Sequence, residues 1–164
     1  MKQSFSDGRG SVNNITEPVP GGAPPGSTAV DDATAAYILE TRRPFEDLRQ
    51  VAGQLAGLLV LAAAGSKNAG PHHPLLDAAG LLYREAIDGI HQARVTNRAR
   101  RHHHHLLQAA ATLGAALAAA KRSPQIDPVL TPLRSAYDQL LQASQELPGF
   151  AMVAFEQGCC GRKA

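Results

Sequence analysis

The run His102-His103-His104-His105 and the adjacent pair Cys159-Cys160 hold the side chains of this sequence best suited to a transition metal. On a helix His102 and His105 stand three apart and share a face, so their imidazoles can chelate one ion, while His103 and His104 point elsewhere. Two imidazoles need further ligands, and the thiols of Cys159 and Cys160 are the soft donors the chain offers. Arg162 and Lys163 follow them and favour the thiolate. Neighbouring cysteines close only a strained ring, so two thiols are expected rather than a disulfide, in keeping with a reducing compartment. The same groups also fit a plainer reading: histidines on a solvated helix face and thiols on an exposed tail.

Other chemistry finds less support. Asp88-Gly-Ile-His91 has the carboxylate-to-imidazole spacing of bundle di-iron sites, but such sites need two copies and further carboxylates, and the chain carries one. His91 lies about 16 Å along the axis from His102, too far to share an ion. No nucleophile elbow, phosphate loop, dinucleotide fingerprint or His-Glu-x-x-His is present. Arg94, Arg98, Arg100 and Arg101 form a basic segment just before the histidines. Cations so placed can grip phosphate, but no aromatic residue stands among them to stack a base. A net charge of +2 is also low for a dedicated nucleic-acid binder. An acidic protein partner fits these arginines better, with His102 and His105 joining the contact.

The elements that must carry these residues are helical. Trp is absent, Phe and Tyr number four and three, and Ala and Leu dominate, which is a recipe for helices packed on helices. Residues 1–29 are rich in Ser, Gly, Pro and Asn, too polar to offset ordering entropy, and are expected to form a disordered N-terminal arm. Asp31-Asp32 mark a helix start, and Pro44 is expected to break that first helix. Phe45, Leu48, Ala52, Leu55, Leu59 and Ala62 then continue one apolar face to Ala64-Gly65.

From Pro74 to Lys121 no proline interrupts, and the stretch reads as one long central helix of roughly 70 Å. Its ends are amphipathic, but between them the pattern dissolves into a polar waist, His91 to His105, which neighbouring helices are expected to cover lightly or not at all. Ser123-Pro124 turn the chain into a third helix with a seam at Ile126, Leu130, Leu133, Tyr137, Leu140, Ser144 and Leu147. Pro148-Gly149 end it, and the apolar run Phe150 to Phe155 is expected to fold back on the bundle. The expected fold is thus all-α: an antiparallel three-helix bundle over residues 30–147, with the arm before it and a tail, 148–164, ending in the cysteines.

Together these features predict a non-enzymatic accessory or adaptor protein with no resident cofactor. It would bind a protein partner through the basic His/Arg-rich segment, with the Cys-Cys tail as a second contact and self-association through leftover apolar stripes. The alternative is a protein that binds a transition metal or handles redox chemistry through His102, His105, Cys159 and Cys160. The longest apolar stretches fall short of the roughly 18 residues that span a bilayer, and the N-terminus lacks a secretory pattern, so a cytoplasmic location is expected.

Overall fold

A computed structural model describes residues 30–152, which are all-helical. The N-terminal arm and the Cys159-Cys160 end of the tail lie outside the described residues. Among those described there are four helices, not three: α1 Asp32–Ala63, α2 Pro74–Gln92, α3 Arg100–Arg122 and α4 Asp127–Glu146. The long central helix is therefore two helices, α2 and α3. The chain leaves helical geometry at Ala93, whose ψ is 137°. The β-branched pair Val95-Thr96 and then Asn97 are weak helix formers, and Thr96 offers the backbone a competing partner. Its hydroxyl accepts from the Ala99 amide at 3.3 Å and meets the Thr34 hydroxyl of α1 at 3.0 Å.

The first helix is not broken either: α1 runs continuously through Pro44. A proline inside a helix removes one hydrogen bond and crowds the preceding turn, at about 3 kcal/mol. Here the ring is buried against Gly89 of α2, where an added Cβ would stand only 2.6 Å from Pro44 Cγ. The missing side chain on α2 makes room for the proline on α1.

Several termini follow the sequence signals. Asp31 caps α1 by accepting from the Thr34 amide at 2.7 Å. At its other end Gly65, with φ at 78°, closes a Schellman turn through Gly65 N–H to Ala62 O and Ser66 N–H to Leu61 O, both 3.0 Å. Pro74 opens α2, with His73 Nδ1 accepting from the Leu75 amide at 3.1 Å. Lys121 and Arg122 stand in the last turn of α3.

Consecutive helices are antiparallel. Arg43 of α1 faces Glu85 of α2, Asp77 of α2 pairs with Lys121 of α3 at 2.9 Å, and Arg101 of α3 faces Glu146 of α4. Tyr83 of α2 lies over Gly114 of α3 and donates to the Ala110 carbonyl at 3.0 Å, filling space that a Cβ at Gly114 would occupy.

Helices α3 and α4 both bury alanines: Ala109, Ala110, Ala116 and Ala119 on α3, Ala136 and Ala143 on α4. The buried stripe of α4 is Val129, Leu133, Ala136, Leu140, Ala143 and Leu147, so the seam read from the sequence is shifted. Small side chains let the two helices approach closely, and α4 turns its alanines inward. Leu130 and Tyr137 are left 39% and 41% exposed. They line an open groove of about 780 Å³ between α1 and α4, with Gly53 and Ala56 on the facing wall.

Candidate functional site

The basic segment lies at the end of the bundle where α2 gives way to α3. Helix α1 begins at this end, and the chain leaving α4 passes across it. Three contacts fix it. The Thr34–Thr96 hydroxyl pair ties α1 to the connection, the Arg94 amide donates to Glu40 Oε2 of α1 at 3.0 Å, and Tyr37 reaches α3.

Tyr37 and His102 form the centre of this end. Both are fully buried, and the Tyr37 hydroxyl meets His102 Nδ1 at 2.8 Å and His103 Nδ1 at 3.4 Å. The Phe150 ring stacks at a tilt over His102, with centroids 4.1 Å apart, and Phe45 lies at 6.5 Å. His102 Nε2 has no hydrogen-bond partner among the described residues. A bare ring lone pair there is less costly than an unpaired N–H. This favours His102 Nδ1–H donating to Tyr37, whose own proton points at His103. Burial lowers the His102 pKa to about 4, with the charges of His103 and His105 acting in the same direction. Burial likewise raises the Tyr37 phenol and lowers His103. The ring of His102 is thus neutral at pH 7 and packed as part of the core.

The waist is therefore covered on one side and bare on the other. Arg94, Arg98, Arg100 and Arg101 are exposed. Arg101 Nη1 stands 3.8 Å from Glu146 Oε1. Arg98 lies near Asp31, whose carboxyl is held low first by its hydrogen bonds with Thr34 and then by that guanidinium. Arg94 and Arg100 make no ion pair among the described residues. His105 is half-buried and bonds Gln139 of α4 through Nδ1 at 2.8 Å. His102 and His105, predicted to share a ligand face, thus engage different neighbours: Tyr37 on α1 and Gln139 on α4. Cys159 and Cys160 lie outside the described residues. Among those described, no group of three or more His, Cys, Asp or Glu side chains is placed to hold a metal ion. No helix among them is long and apolar enough to cross a membrane.

Helix α3 also starts under unfavourable electrostatics. Its N-terminal end carries the positive pole of the helix dipole, where acids and capping oxygens are favoured. Ala99 occupies the cap position, its own amide held by the Thr96 hydroxyl; among the described residues no side chain caps the amides beyond it, and the first turn holds no acid while opening on Arg100-Arg101.

Sequence reasoning missed Tyr37, Phe150 and Gln139, the three partners of the histidines. The one signal available was chemical: a tyrosine in an apolar stripe needs a partner for its hydroxyl, and the buried helices offer few besides the histidines. No protein-family model matches the chain, and no curated protein or solved structure matches it either.

Proposed function

We propose that this chain is a non-enzymatic accessory or adaptor protein whose basic bundle end, Arg94 to Arg101, receives an acidic segment of a protein partner. The observation that supports this most is the start of α3: two arginines at the positive end of a helix dipole, with no acid in the first turn and, among the described residues, no side chain capping the amides beyond Ala99. A carboxylate arriving there would meet guanidinium groups and the dipole together, which is the chemistry a partner's Asp or Glu supplies. The buried Tyr37–His102 pair and the Phe150 ring supply rigidity, holding the α3 start against α1 so that the arginines are presented from a fixed frame. His102 has a structural part in this reading, and the contact itself falls to the arginines.

The test is charge reversal at the two arginines without an ion pair among the described residues. A partner captured by the native chain, identified and purified, should bind the Arg94→Glu/Arg100→Glu protein at least tenfold more weakly, about 1.4 kcal/mol. The circular dichroism spectrum and melting temperature should stay unchanged. Equal affinity for the two proteins would remove the basic end from the contact.

A further inference from the structure

The open α1–α4 groove has an occupant within reach in the same polypeptide. Past α4 the chain advances steadily along α1. Gly149 lies beside Ile38, Phe150 packs on Phe45 with ring centroids 5.2 Å apart, and Met152 already lines the groove together with Glu46 to Ala56. Each step carries it further along α1 and into the groove. The next residues are Val153, Ala154 and Phe155, an apolar run followed by Glu156. The groove runs from Glu46 to Ala56 of α1, about 15 Å, and three extended residues cover about 10 Å of it. In an extended chain Val153 and Phe155 fall on one side, and that side can meet Leu130, Leu133 and Ala56. Arg134 on the groove wall suits the carboxylate that comes next, while Arg49 is already held by Glu46.

We propose that residues 153–156 of this chain seat in the α1–α4 groove, Val153 and Phe155 covering the exposed Leu130 and Tyr137. The groove is then closed by the protein's own tail.

Because the chain contains no tryptophan, Phe155→Trp places a single fluorophore at the proposed seat. In the full-length protein its emission should be blue-shifted, and acrylamide should quench it several-fold less than in a free peptide of residues 151–164 with the same substitution. Neither property should change with protein concentration. Adding Gly53→Lys puts a charge on the groove wall at a position where a new Cβ meets nothing within 4 Å. It should shift the emission to the red and restore quenching while helicity stays the same. Three results would overturn the proposal: quenching equal to that of the peptide, protection that survives Gly53→Lys, or protection that appears only as the mass doubles. The last would make a second copy the occupant.

Discussion

His102 enters the core with one ring nitrogen on Tyr37 and the other without a partner among the described residues, and that burial ties stability to pH. The unfolded chain takes up a proton as pH falls through about 6.5, whereas burial makes the folded ring refuse it until about 4. Stability from this residue is therefore intact above 6.5 and is lost progressively as pH falls to about 4, by about 3 kcal/mol in all. Urea unfolding at pH 7, 5.5 and 4.5 should show this fall, and His102→Phe should flatten much of it. An unchanged profile in that variant would place the acid sensitivity elsewhere. Tyr37→Phe removes the bond to Nδ1 and leaves a buried polar nitrogen unpaired. It should lower stability by about 1–3 kcal/mol at pH 7, measured by the same unfolding curves.

At the scale of elements, Pro44 and Gly89 act as one feature. Gly89→Ala should raise the helix propensity of α2, yet its Cβ would meet the proline ring, so a net loss of about 1–3 kcal/mol is expected. Pro44→Ala in the same protein should recover at least that amount, a coupling that thermal unfolding of the two single variants and the double variant would measure. A simple sum of the single effects would refute the contact.

This pair also shows what was legible in the sequence. Caps and stops that depend on a few neighbouring residues could be read directly: Asp31, Gly65, Pro74 and the Lys121-Arg122 end. The continuity of α1 could not, since the residue that accommodates Pro44 lies 45 positions along the chain and on another helix. The division of the long helix was hidden because Val95, Thr96 and Asn97 are tolerated in helices, and tertiary bonds from Thr34 and Glu40 to the connection help hold the break. In α4 the leucines and Tyr137 suggested the seam, but the buried stripe takes in Ala136 and Ala143 and leaves Leu130 and Tyr137 outside it. At the site, the four arginines and the histidine run were plain in the sequence. That His102 faces inward was not, because its partner Tyr37 is 65 positions away.

On the scale of the whole molecule, the four helices leave two surfaces of different character. One is the apolar groove between α1 and α4, for which we propose residues 153–156 as the occupant. The other is the basic end, held by a buried aromatic cluster, where the first turn of α3 carries no acid of its own and Glu146 faces Arg101. The two are separable, since residues 153–156 can be altered without touching Arg94 or Arg100. An acidic partner at the basic end implies binding that weakens steeply as salt screens the arginines, with a Debye length of about 8 Å at physiological ionic strength.

The most direct measurement is a fluorescence-anisotropy titration of the full chain with a labelled acidic peptide of about ten Asp and Glu residues, at low and at physiological salt. A single-stranded oligonucleotide of equal charge serves as the comparison. The account predicts saturable binding of the peptide that weakens with salt and falls at least tenfold, about 1.4 kcal/mol, in Arg94→Glu/Arg100→Glu. No binding at low salt, affinity unmoved by the double variant, or clear preference for the oligonucleotide would contradict it.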